Sequence, residues 1–322
     1  MMNYILAPLR YLIQNKLKFG LMLFSVLAFA FLLFPFDDLG DLVTTQVAKV
    51  TANQVYLQFD RMNLGLVPDP GLQLQNVYLE STGVPPLSAS EITFMPSISG
   101  LLAKKPSGRV SAKGFFKGEL MASLQPGKKS DNGVERQKIE LTAKHLSLAD
   151  MKELMGLPLT IKGKVDVTTQ AQADLSFTEQ PDMDLILHID KFELPTGNVQ
   201  TPMGPLTLPE IKLATVDLKG RLSSGRFSIE EGTLGKEGDE LRGTVKGGVN
   251  LQLKMTPSGL VPIIGAYDFS IDLNVKKGLQ DRATLFLSFL DTYKTPTPDG
   301  ARYAFKVSAI NVFNPPNIGA LR

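Results

Sequence analysis

Polar and apolar residues alternate along this chain over long runs. In the stretch Leu241 to Lys254 the odd positions are Leu241, Gly243, Val245, Gly247, Val249, Leu251 and Leu253, all apolar or glycine. The even positions are polar, Gly248 excepted. Over 110–124, Val110, Ala112, Gly114, Phe116, Gly118, Leu120, Ala122 and Leu124 share one side, and Phe115 and Met121 break the polar side. The longest run puts Leu159, Ile161, Gly163, Val165, Val167, Thr169, Ala171, Ala173, Leu175 and Phe177 together. Met183, Leu185, Leu187 and Ile189 resume it after the turn Gln180-Pro181-Asp182. Two further runs carry Tyr267, Phe269, Ile271, Leu273 and Val275, then Tyr303, Phe305, Val307 and Ala309. Successive side chains of a strand point to opposite faces, so this alternation predicts strands with one dry face. Such strands favour antiparallel sheets whose other face meets water.

Length sharpens the reading. Strands of globular proteins average about 5–6 residues, whereas these runs reach 13, 15 and 19. A bent ribbon, a strand pair with a tight turn, or an elongated open sheet would use them. Gly163 and Gly247-Gly248 are natural bulge or bend sites. The expected fold is mainly β: an elongated, curved antiparallel sheet, as an open sandwich or a folded-over groove, with one or two short helices. "LSLADMKELMG" predicts one helix, with Ser147 as cap, Asp150 three residues on, Leu146 and Met151 as staple and Gly156 as left-handed stop. "LQDRATLFLSFLDTY" predicts the other through Leu279, Ala283, Phe286, Leu290 and Tyr293, with a strand as its competitor.

One segment departs from alternation. Phe19 to Phe36 carries no charge, and its length suits a bilayer's hydrocarbon core of about 30 Å. Arg10, Lys16 and Lys18 precede it, and Asp37, Asp38 and Asp41 follow. The expectation is a single transmembrane helix over 19–36, with Phe19, Leu23, Leu27, Phe31 and Phe34 among its anchoring residues. Residues 1–18 would be a cytoplasmic lead and 37–322 a periplasmic β-rich domain, following the positive-inside rule. The competing reading is a cleaved signal peptide ending at Ala28-Phe29-Ala30, which would leave "FLLFPF" as the new N-terminus.

Composition and chemistry narrow the function. With 34 basic and 32 acidic residues, the net charge of +2 gives no pull toward nucleic acid. Cysteine is absent, which removes disulfides, cysteine zinc sites and thiol nucleophiles. The two histidines, His145 and His188, are 43 residues apart, and no His/Cys/Asp set has ligand spacing. "GTLGKEGDELRG" lacks the Gly-Lys-Ser/Thr ending of a phosphate loop. Glu230-Glu231 and Asp239-Glu240 read as charges in turns. The expectation is no enzyme, no cofactor, no metal and no nucleic acid.

The order of segments resembles a known family. "LFPFDDL", "GLQLQNVYLES", "ASEITFMPSISGLL", "GRVSAKGFFKGELMASL", "LSLADMKELMGLPLTIKGKVDV" and "GRFSIEEGTLGKEGDELRGTVKGGVNLQL" together resemble the type II secretion system protein N family (GspN) in its longer bacterial form. The similarity covers most of Leu32 to Ile318. More distantly, the chain is similar to AsmA-like envelope proteins. The resemblance implies an inner-membrane-anchored periplasmic component of the secretion machinery, with secretion subunits as partners. The AsmA-like side implies a sheet over an apolar groove that takes phospholipid or another envelope lipid, with no dedication to secretion.

The dry face is then the candidate site. Its expected members are Val110, Phe116, Leu120, Leu124, Ile161, Val165, Val167, Leu175, Phe177, Val245, Val249, Leu251, Leu253, Phe269, Ile271 and Leu273. Small residues such as Gly114, Gly118, Gly163, Gly243 and Gly247 would leave width for acyl chains, or would receive bulky partners in a sealed core. The sequence leaves both open.

Overall fold

The computed structural model describes residues 16–32 and 39–321, with short interruptions at 52, 66–70, 82–83, 98–99, 101, 104, 106, 131, 155, 157–158, 202–203 and 257–258. Two helices come first, α1 (Lys16–Leu32) and α2 (Gly40–Val50). Eleven strands follow: β1 (Val55–Gln58), β2 (Arg61–Gly65), β3 (Gly71–Ser81), β4 (Val84–Pro96), β5 (Gly108–Phe115), β6 (Gly118–Lys129), β7 (Glu135–Ser147), β8 (Lys162–Ala173), β9 (Asp182–Leu194), β10 (Gly197–Thr201) and β11 (Gly204–Leu208). Then come β12 (Ile211–Ser223), β13 (Arg226–Leu234), β14 (Leu241–Thr256) and β15 (Gly259–Lys276). Helices α3 (Lys277–Arg282) and α4 (Thr284–Ser288) and a 3-10 turn at Asp291–Tyr293 lead to β16 (Lys294–Thr297), β17 (Gly300–Ala309) and β18 (Asn317–Ala320).

Sixteen of the strands form one antiparallel sheet, in the order β1-β3-β4-β5-β6-β7-β8-β9-β12-β13-β14-β15-β17-β16. Sequence neighbours are almost always spatial neighbours, and β10–β11 is a separate hairpin between β9 and β12. Both lateral edges end in short strands. The outer edge of β3 carries β1 and β2 end to end, and that of β17 carries β16 and β18. A four-residue edge strand containing Pro296, which has no N–H, is a poor template for another chain.

The sheet is not wrapped around a single core. A chain of 35.1 kDa folded compactly would expose roughly 13,000 Å², whereas this one exposes 21233 Å². Its buried apolar residues fall into three local clusters. Met62, Leu74 and Val77 lie under Leu39 and Val43 at the start of the chain. Ala143, Leu146, Leu148 and Val165 gather Phe115, Phe116 and Met151. Val275, Ala301, Tyr303 and Phe305 are covered by Leu279, Ala283, Leu287 and Tyr293. Tyr293 completes that last corner, stacking obliquely on Phe305 at 6.2 Å and donating its hydroxyl to the Ile318 carbonyl at 2.7 Å.

Several expectations need correction. Leu146 and Ser147 end β7, and residues 148–154 form a chain of turns, not an α-helix. Its signals are nevertheless used: the Asp150 amide donates to Ser147 Oγ at 3.4 Å, Leu146 and Met151 pack together, and Gly156 has φ +60°. The connection has to cross from β7 to β8 over their shared cluster, and one capped turn suffices. The segment 279–293 is split into α3, α4 and the 3-10 turn, although Leu279, Ala283, Leu290 and Tyr293 do face one cluster.

The run 110–124 is two strands. Phe116 and Lys117, at φ +46° and +63°, form a two-residue hairpin turn, the left-handed geometry that suits the twist of paired strands. The helix Lys16–Leu32 has 17 residues. Among the described residues no helix is long and apolar enough to cross a membrane, so the span expected over 19–36 is not met there. Phe19 and Leu23 are exposed, while the side chains of Leu27 and Phe31, and all of Phe34, lie outside the described residues.

Candidate functional site

Strand register assembles the dry face. One row of paired residues crosses fourteen strands without a polar member. It runs Met62, Leu74, Ile92, Ala112, Leu120, Ala143 and Val167 through β2 to β8. It continues as Leu187, Leu218, Gly232, Val245, Ile271, Phe305 and Ala320 through β9 to β18. The next row contains Phe94, Val110, Ala122, Leu141, Thr169, Leu185, Gly220, Ile229, Gly247, Phe269 and Val307. Its one hydroxyl, Thr169 Oγ1, donates to the Asp184 carbonyl at 2.7 Å. Bulges between β5 and β6, β7 and β8, and β12, β13 and β14 occur along the way. The register recovers after each, because a one-residue slip would turn the whole apolar set into water.

This face is open. In the middle of the first row only Ala112, Ala143 and Gly232 are fully buried, while Ile92, Leu120, Val167, Leu187, Leu218, Val245 and Ile271 are half-buried. Met62 at one end is 2% exposed and Phe305, one strand in from the other, 6%, while the last member, Ala320, is exposed. Of the sixteen residues expected on the face, only Val165 is buried, thirteen are half-buried, and Val110 and Leu175 are exposed. A core between two sheets would bury most of them.

Not all sixteen come together. Leu120, Val167, Val245 and Ile271 share the first row, and Val110 and Phe269 the second. Leu124 and Val249 belong to a third, and Val165 and Leu273 to a fourth row on the other side of the first. Leu251 and Leu253 extend β14 past the end of β13. Phe116 and Ile161 lie outside the strands and pack on the Ala143–Leu146 cluster. Leu175 and Phe177 are in a turn, because the Asp174 carboxylate accepts from the Ser176 and Thr178 amides at 2.9 and 3.0 Å and bends the chain there. The Thr178 hydroxyl, together with those two amides, holds the Asp174 carboxyl below its usual range.

The glycines do not leave width. A Cβ at Gly243 would stand 2.6 Å from Leu273 Cδ2 and 2.4 Å from the Asp272 carbonyl, and one at Gly220 would meet Phe227 Cζ at 2.5 Å. Cross-strand neighbours in the same sheet already occupy that space. Sequence reasoning also missed Leu218 and Leu222 of β12. The apolar residues there change from odd positions, Ile211 and Leu213, to even ones from Ala214 on, which hides the run's alternation. Leu218, Gly220 and Leu222 between Asp217, Lys219 and Arg221 were the legible signal.

The opposite face is a lattice of ion pairs across strands. Lys113 meets Glu91 at 3.0 Å, Arg221 meets Asp184 at 2.7 Å, and Arg302 Nε meets Asp272 at 2.9 Å. Arg302 holds the Asp272 carboxyl low. The His188 ring lies between Asp217, 2.5 Å from Nδ1, and Asp190, 3.3 Å from Nε2. The hydrogen bond to Asp217 raises the imidazole's pKa. Glu230 and Glu231 stand at a bulge inside β13 and not in a turn. Asp239 and Glu240 are structural: Asp239 accepts the Ala214 and Lys236 amides, and Glu240 pairs with Arg282 of α3. Among the described residues no group of three or more His, Asp or Glu is placed to hold a metal ion.

No family model, no curated protein and no solved structure matches this chain.

Proposed function

We propose that this protein is a noncatalytic, single-pass inner-membrane protein whose sheet stands in the periplasm and holds lipid acyl chains on its apolar face. The observation that carries this reading is the fourteen-strand apolar row whose bulky central members keep solvent access. Fully burying a Val, Leu or Ile side chain is worth about 1.5–3 kcal/mol, so each half-buried one leaves a share of that for a ligand to supply. An acyl chain moving from bilayer to such a face exchanges one apolar surface for another. The transfer then needs little net driving force and no catalytic group.

The charge-free run after Lys18 supports an anchor, and α1 exposes Phe19, Leu21, Phe24 and Phe29 with no other part of the sheet needed to explain them. The GspN resemblance supports a place beside the type II secretion apparatus. The polar ion-pair face is the surface left for secretion subunits. An AsmA-like lipid carrier not dedicated to secretion is the second reading, and the open face favours it equally.

A photoreactive benzoylphenylalanine at Val245 or Leu187 should cross-link to phospholipid in membranes, and one at Tyr303 should not. Equal labelling at all three sites, or none at Val245 and Leu187, overturns the lipid face. Membrane fractionation tests the anchor, and a mature N-terminus after Ala30 would reject it.

A further inference from the structure

The β14–β15 hairpin outruns its neighbours. β13 begins at Arg226, opposite Asn250, and β17 ends at Ala309, opposite Tyr267. Past those positions the two strands pair with each other, clamped at the base by Gln180, whose amide donates to the Leu253 carbonyl at 3.0 Å and accepts its N–H at 2.8 Å. This end of the sheet is opposite the one at which β1 begins. Val55, which follows α2, pairs with Ser81 at the other end, and the 16 residues of β14 span about 50 Å.

A bulge changes what the arm presents. Register shifts between Val249 and Leu251. Before the shift, Tyr267 and Phe269 of β15 lie on the apolar face. After it, Ile264 and Pro262 take that face, opposite Leu251 and Leu253, and Ile263 and Val261 turn to the other, opposite Gln252 and Lys254. Bulges re-aim side chains in this way. The result is apolar on both sides, with Met255, Val261, Ile263 and Ile264 exposed by 41–47%. Beside it, the β17–β18 connection exposes Phe313 by 93%. Residues 250–267 and 309–321 contain a single charged side chain, Lys254.

We propose that this tip inserts into a lipid bilayer, as the point where acyl chains pass between membrane and sheet. The proposal rests on the lipid reading above and deepens it. A protein partner covering one side of a two-stranded arm leaves the other wet, whereas a bilayer takes both. Having no carboxylate, and a lysine beside the apolar residues, suits a phosphate headgroup layer. The tip is continuous with the face it would load, through Leu253, Leu251 and Val249.

The chain has no tryptophan, so Ile263→Trp supplies a sole indole in the full-length protein. Vesicles of phosphatidylethanolamine and phosphatidylglycerol with brominated acyl chains should quench its emission by about half, the indole lying within the acyl boundary. Adding Met255→Asp and Val261→Asp should restore the emission, and a sole indole at Ile186, on the polar face, should stay bright. An Ile263→Trp signal untouched by brominated vesicles, or equally quenched with both aspartates present, overturns the tip. A sole indole at Val249 reads the lipid face separately. If it is quenched while Ile263→Trp stays bright, the face stands and the tip falls; the converse rejects the face and keeps the tip.

Discussion

Strand β15 passes through two different environments. Val275, near one end, is 3% exposed beneath α3, with Ala301 and Tyr303 beside it at 0% and 1%. Ile271 and Phe269, two and three turns of the pleat away on the same face, are half-buried. Residue type does not separate them. What differs is the connection lying above: residues 277–293 fold back over the first group, while Ile271 packs only on the rim of that cluster and Phe269 stacks on Tyr267 of its own strand. Buried clusters hold the sheet at both ends and at β7–β8, and the apolar residues between them stay partly exposed.

The contrast predicts unequal mutational costs. Tyr303→Ala in the sealed corner should destabilise by about 3–5 kcal/mol, a buried aromatic lost together with a cavity, read from denaturant midpoints. Met62→Ala, 2% exposed under α2, should cost about 2–5 kcal/mol. Leu187→Ala should cost less than about 2 kcal/mol, because Leu187 is only partly buried, at the rim of the Ala143–Val165 cluster, and a truncation there leaves a cavity open to solvent. Equal losses at Leu187 and Tyr303 would mean that the middle is packed like the corner.

The polar face should give the smallest effect. A raised His188 pKa means that the protonated ring is preferred in the folded state. Its contribution is fully present below the unfolded value of about 6.5 and is lost as pH rises through the raised folded value. The ring is 36% exposed, so screening keeps the contribution below about 1 kcal/mol. Asp217→Asn should flatten stability between pH 6 and 8 by roughly that amount, measured by denaturation at each pH.

How much of this was legible follows from what alternation can encode. It revealed the dry faces of β8, β14, β15 and β17, since side-chain direction has period two. It could not reveal which strands pair, nor that Leu120, Val167, Val245 and Ile271 lie in one row, because register is a long-range property. Bulges explain some misses: one between Lys219 and Gly220 interrupts the pairing of β12 with β13, and another turned Ile263 to the second face. Local capping explains the others. Ser147 holds one turn where a helix was expected, and Asp174 bends Leu175 and Phe177 off the strand. The glycines were read as free width because a sequence does not show that Leu273 and Phe227 lean over them.

The open face is tested most directly by native mass spectrometry of the full-length protein, released gently with its lipids. The account predicts reproducible bound phospholipid, lost in Val167→Asp and in Val249→Asp while both variants stay folded, and retained in Asp217→Asn. A stable, folded protein that carries no lipid, or one that keeps it with aspartate at both positions, would contradict the account.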